Sequence, residues 1–170
     1  MTAGVSAGLT VWGGRTALVD ALSKVDSGVP AACLIPDLPG DRDLEALSDE
    51  LLDAEIGDVL GDVLAEVQQV LPELSSRGGR LVFLLPHDVA LGRPHSTAAS
   101  AVAGGVLSMS RTLAIELGRD GVTVNTLLYA DGSEPAVARQ VAALVAPESA
   151  AITGQEIYVT AGSGLGRLRP

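Results

Sequence analysis

Apolar residues follow two rhythms along this chain. Short unbroken runs at 8–12 (GLTVW), 31–35 (AACLI) and 81–85 (LVFLL), closed by glycine or proline, predict buried strands. Residues 122–128 (VTVNTLL) and 155–160 (QEIYVT) predict two more. Between them apolar positions recur every three or four residues, which predicts helices over 15–25, 48–71, 97–117 and 136–145. Ser48 followed by Asp49 and Glu50 opens the longest of these as an N-cap with acids in the first turn, and Pro72 sits near its predicted end. SSRGG reads as a turn, and PHDVALGRPH as a loop leading to the 97–117 helix, capped by Ser96 or Thr97. Strands that alternate with helices and are apolar on both faces predict a Rossmann-like three-layer α/β sandwich, with a reduced, mostly parallel sheet of about five strands. One domain over 1–170 accommodates all of this, with 161–170, including GSGLG, as a tail.

Charge narrows the choice of partners. Asp plus Glu number 21 against 11 Lys plus Arg, a net charge of −10, so nucleic acid and anionic membrane surfaces are disfavoured. The basic residues are Arg apart from Lys24. Cys33 stands alone, so no internal disulfide forms, and no Cys/His spacing suggests a metal. The start of the chain lacks a leader pattern and no apolar run reaches the roughly 18 residues of a span; the expected location is cytoplasmic.

Several segments resemble the short-chain dehydrogenase/reductase superfamily. LEALSDELLDAEIGDVLGDVLAEVQQVLPEL is similar to its central helix, GGRLVFLL to the strand that follows, SRTLAIEL to the end of its catalytic helix, and ITGQEIYVTAG to its terminal segment. The resemblance covers most of the chain from Ala31 onward and implies a family whose members transfer hydride with NAD(P), resembling in particular bacterial 3-oxoacyl reductases and ketoreductases. It also locates the family's functional positions: the catalytic serine falls on Pro86, the tyrosine on Ala99, the lysine on Ala103 and the central-helix asparagine on Val59. Hydride transfer to a carbonyl needs a phenol to protonate the oxygen and an ammonium to lower the phenol's pKa, and alanine supplies neither. GLTVWGGRTAL has a Gly-Gly pair but not the spaced three-glycine loop that cradles a pyrophosphate, so no cofactor is expected. Between residues 8 and 31 there is room for one strand and one helix where the family has three strands. Its first and fourth strands are neighbours, so GLTVW is expected to pair directly with AACLI.

What remains is the part through which such proteins associate. On the 97–117 helix, Val102, Val106, Met109, Leu113 and Leu117 form one face, while the other carries Ser100, Ala101, Gly104, Ser108, Arg111, Thr112 and Ile115. An outer face of small residues admits a second helix. With the acidic row Glu55, Asp58 and Asp62 on the 48–71 helix, these residues form the expected partner interface. The expected occupant is an active paralogue, with a homodimer as the alternative, because two identical acidic rows repel across a two-fold axis. The sequence thus predicts a catalytically silent subunit that supports an active reductase. The alternatives are a homodimeric small-molecule binder and an enzyme with reassigned chemistry, for which His87, Asp88, His95 and Ser96 supply a His-Asp-Ser set.

Overall fold

The structure, a computed structural model, describes residues 8–14 and 16–163. Five strands form one wholly parallel sheet in the order β1 (Leu9–Gly13), β2 (Ala31–Ile35), β3 (Arg80–Pro86), β4 (Thr123–Tyr129), β5 (Glu156–Val159). β1 pairs with β2 in the register Leu9 to Ala31. The helices are α1 (Thr16–Leu22), α2 (Asp49–Leu52), α3 (Val59–Arg77), α4 (His87–Ala90), α5 (Thr97–Leu117) and α6 (Glu134–Val145).

The period-two alternation of the strands sorts side chains into two cores. Ala32, Leu34, Leu81, Phe83 and Leu85 pack under Val63, Val67 and Val70 of α3 and Val102 and Val106 of α5. Cys33, Ile35, Val82, Leu84 and Leu127 face Leu18 and Leu22 of α1 and Val137, Val141 and Leu144 of α6. Burial pushes the Cys33 thiol far above its ordinary range, which makes it a small core residue. The helix Thr97–Asp120 has the length and mean hydropathy, 1.3, of a membrane span, yet its apolar side is spent on the sheet.

All four connections step the same way along the sheet, but α1 and α6 cover one face and α3 and α5 the other. Two crossovers are therefore right-handed and two left-handed, against a preference followed in about 98% of such units. The family resemblance accounts for the change at α1. In a doubly wound sheet the chain leaves the first strand in one direction and the fourth is added on the other side. If β1 and β2 correspond to the first and fourth strands of that order, as the resemblance implies, α1 keeps its face while the chain steps the opposite way. A second consequence concerns ligands. Although the order β1-β2-β3-β4-β5 never reverses, the loops leaving β1 and β2, and those leaving β3 and β4, run to opposite faces, which opens a crevice at the carboxyl ends of each pair.

Several local expectations are corrected. The 48–71 helix is α2, a π-helical segment Asp53–Asp58 and α3, and it runs on through Pro72 to Arg77 before a left-handed Gly78 ends it. SSRGG is thus helical up to Arg77. Pro72 lies exposed inside α3, where it removes one backbone hydrogen bond and crowds the carbonyl four residues back without ending the helix. The loop after β3 begins with the short α4. Ser96 is buried but does not cap α5, because its hydroxyl is engaged by Arg93 and Asp41. Residues 164–170 of the expected tail lie outside the described residues.

Arg80, 3% exposed, ties the lower edge of the sheet together through carbonyls, with no carboxylate partner among the described residues. Its guanidinium donates to the carbonyls of Gly78 at 2.6 Å, Gly79 at 3.0 Å and Pro147 at 3.1 Å, and burial lowers its pKa. Asn125 does a similar task in β4, donating to Ile152 O at 2.8 Å and accepting from Gln155 N at 3.1 Å.

Candidate functional site: a reduced cleft at the carboxyl edge of the sheet

The carboxyl ends of β1 to β4 converge on two adjoining cavities. One, of about 280 Å³, is lined by His87, Asp88, Arg93 and Asp131, the other, of about 250 Å³, by Gly14, Asp37 and Leu38; Pro86 and Tyr129 border both. This is where the resemblance puts hydride-transfer chemistry.

The β1–α1 turn shows why it holds glycines. Gly13 and Gly14 have φ of +75° and +91°, and a Cβ at Gly13 would lie 2.1 Å from the Ile35 carbonyl oxygen. A Cβ at Gly14 would lie 2.5 Å from Ile35 Cδ1. Both glycines are thus required by the approach of β1 to β2, whatever ligand the turn meets. Trp12 packs against the α3/α5 core, and its indole Nε1 is buried without a hydrogen-bond partner.

Pro86 ends β3, and Val59 is half-buried at the first turn of α3. Ala99 and Ala103, 1% and 0% exposed, are packed into the α3/α5 core. The two tyrosines do not replace a phenol there. Tyr129 belongs to the opposite core, and Tyr158 lies on β5, its pKa raised by burial and then by Glu156. Lys24 follows α1.

The polar residues around the cleft are committed to one another. Arg93 donates to Asp41 at 2.6 Å, Asp88 at 3.1 Å and Ser96 Oγ at 2.8 Å, and Ser96 Oγ donates to Asp41 at 2.7 Å. The Ser96 hydroxyl, with Arg93 beside it, holds the Asp41 carboxyl below its ordinary pKa. His95 Nδ1 lies 2.6 Å from Asp43, and Arg42 N donates to His95 O at 2.6 Å. These bonds strap the loop after β2 to the loop before α5.

They also take apart the His-Asp-Ser set. Asp88 accepts from Val89 N at 3.0 Å and from Arg93, and His95 and Ser96 have separate acidic partners. His87 Nδ1 is 3.2 Å from Tyr129 O and its Nε2 is 3.2 Å from Ser163 Oγ, a contact nothing in the sequence spacing signalled. Ser163 Oγ lies closer, at 2.9 Å, to the Thr160 carbonyl it donates to. A dinucleotide phosphate entering this cleft meets Asp37, Asp88 and Asp131, and the lining guanidinium, Arg93, is already bound to two carboxylates.

Of the expected interface residues, Ala101, Gly104, Ser108, Arg111, Thr112 and Ile115 are exposed on α5, Ile115 at 82%. Ser100 is half-buried and donates to Val89 O, and Arg111 bonds to Glu156 of β5. The acidic row is shorter than expected. Asp58 and Asp62 are exposed, but Glu55 is held by Arg42 at 2.7 Å and its side chain is 16% exposed. The cause is the π-helical segment, whose i to i+5 bonding shifts the helical phase at residues 53–58. Glu66 takes its place beside Asp62; burial, and then the Asp62 charge, raise its pKa.

These features define a Rossmann-like α/β protein with a cleft at the carboxyl edge of its sheet. No family model matches the sequence. A dehydrogenase subunit of Thauera aromatica, (2S)-[(R)-hydroxy(phenyl)methyl]succinyl-CoA dehydrogenase subunit BbsC, is 28% identical over 140 residues, covering 66% of this chain and 56% of that protein. Nodulation protein G of Azospirillum brasilense is 36% identical over 76 residues, 44% of this chain and 31% of its own length. The chain thus spans about half or less of these curated relatives. An actinorhodin polyketide ketoreductase solved with NADPH superposes with a TM-score of 0.69 at 25% identity, over 79% of this chain and 68% of that one. An apo short chain oxidoreductase of Pseudomonas aeruginosa with an atypical catalytic centre gives 0.66 at 22% identity, over 78% and 66%. Over the part of their length that it spans, the chain resembles short-chain oxidoreductases and ketoreductases in sequence and in fold.

Proposed function

We propose that this protein is a catalytically silent, cytoplasmic subunit that associates with an active short-chain reductase or ketoreductase and supports its stability or activity. The observation that carries the reading is the contrast between the two sides of α5. Inward, the positions of the family's tyrosine and lysine are buried methyl groups, Ala99 and Ala103. Outward, Ala101, Gly104, Ser108, Thr112 and Ile115 present a low, nearly uncharged row to solvent. Such a row lets a helix approach to the 8–10 Å of close packing. Asp58 and Asp62 are exposed on the neighbouring helix and have no ion-pair partner among the described residues, which favours a basic partner over a second copy. The name of the Thauera relative, a dehydrogenase subunit, fits a role within an assembly.

Co-expression with short-chain reductases and native mass spectrometry of the purified complexes tests this. The expected result is a heteromer that Gly104→Arg disrupts. Micromolar or tighter binding of NAD(H) or NADP(H) by the isolated chain would overturn the silent-subunit reading. The adjoining cavities support a second reading, a homodimeric module that binds a small molecule in the reduced cleft. A wild-type homodimer indifferent to every paralogue selects it.

A further inference from the structure

A separate site lies on the opposite side of the sheet, away from α3 and α5. Pro135, Ala138, Arg139 and Ala142 occupy i, i+3, i+4 and i+7 of α6, a second stripe beside the one that Val137 and Val141 bury in the core. Ala21 and Val25, at the end of α1, form the facing wall, and the groove between them measures about 430 Å³. That is within the range of small-molecule sites, and its walls are mainly aliphatic. The groove exists because the second α6 stripe is built from alanines and a proline, too short to fill the space between the helices.

Its charge is opposite to that of the molecule. In a chain with net charge −10, the single lysine, Lys24, and Arg139 both line this groove. Neither forms an ion pair among the described residues, whereas Arg42, Arg93 and Arg111 are all bound by carboxylates. Asp26, the one acid in the lining, accepts from Gly28 N at 3.3 Å. An aliphatic trough edged by two uncommitted cations complements a ligand with a hydrocarbon tail and an anionic head.

We infer that the α1/α6 groove binds a medium-chain carboxylate, the tail along Ala138 and Ala142 and the carboxylate between Lys24 and Arg139. The inference does not depend on the subunit reading, since it uses the other face of the sheet.

Calorimetric titration of the full chain with decanoate, decanol and decyltrimethylammonium tests it. Decanoate is expected to bind best. Its affinity should rise by up to about fourfold per added methylene, the value for a fully buried group. Arg139→Gln and Lys24→Gln should each weaken decanoate about three- to tenfold and leave decanol unchanged. Ala138→Phe fills the trough from the surface and should abolish binding of both, with an unchanged circular dichroism spectrum as the check on folding. Equal binding of the cationic and anionic amphiphiles, or decanoate binding insensitive to Ala138→Phe, would overturn the assignment.

Discussion

Gly104 separates the stability of the chain from its assembly, because the two respond to substitution in opposite directions. It lies in the middle of α5, exposed, and a Cβ built there meets no heavy atom within 4 Å. Alanine therefore has no steric cost in the isolated chain, and it removes the backbone entropy that glycine loses in a helix, about 0.8–1.0 kcal/mol. For a domain of this size that is a rise in melting temperature of about 2–4 °C. Arginine, a good helix former, should stabilise the isolated chain by a similar amount. In a helix–helix contact, however, its side chain occupies the space a partner needs, so Gly104→Arg should melt higher alone and fail to assemble. Differential scanning fluorimetry on the isolated chain and native mass spectrometry on the co-expressed pair read the two effects. A Gly104→Ala variant that melts lower than wild type would refute the reasoning, since the residue would then be covered within the chain. A Gly104→Arg variant that still assembles would move the interface off this helix.

Other substitutions examine the remaining parts of the reading. Gly13→Ala combines a left-handed φ with a backbone contact at 2.1 Å that no side-chain rotation relieves; urea denaturation should show a loss of about 3 kcal/mol or more. A loss under 1 kcal/mol would mean that β1 is not held against β2 as described. A tyrosine and a lysine at the positions the resemblance implies, Ala99→Tyr and Ala103→Lys, should give no NAD(P)H-dependent carbonyl reduction, because a bulky ring and an ammonium would enter a packed core. Overpacking alone costs about 1–3 kcal/mol, before the price of burying the charge, so the expected readout is loss of the cooperative melt. A folded double variant with reductase activity would contradict the account of the cleft. Glu66 has a raised pKa, so its charged form opposes folding and wild-type stability falls as pH rises through that pKa. Glu66→Gln should be more stable than wild type at pH 7, by less than about 1 kcal/mol for a partly exposed group, and lose the advantage below the carboxylate range. An unchanged difference from pH 3 to 7 would remove Asp62 and burial as the cause.

Much of the fold was legible in local pattern. AACLI is β2 from Ala31 to Ile35, as five consecutive apolar residues, too few for a helix and closed by proline, imply a strand buried on both faces. Ser48 caps its helix as the spacing implied, its Oγ accepting from Leu51 N at 3.4 Å. The pairing of β1 with β2 followed from length, since the short connection leaves no room for intervening strands. The residues at Val59, Pro86, Ala99 and Ala103 could also be read directly, because side-chain chemistry needs no coordinates.

Tertiary structure decided what depends on distant residues meeting. Periodicity placed Glu55 in a row with Asp58 and Asp62, but a π-helical turn and Arg42, 13 residues away, took it out. Ser96 looked like a cap until Asp41, 55 residues away, and Arg93 claimed its hydroxyl. The α1/α6 groove pairs residues 21–26 with 135–142, elements adjacent only because both crossovers lie on one face of the sheet. Local sequence fixes the period of a segment and which of its faces is apolar. Which face meets which, and which charge finds which partner, is settled only when the sheet has closed the distance between them.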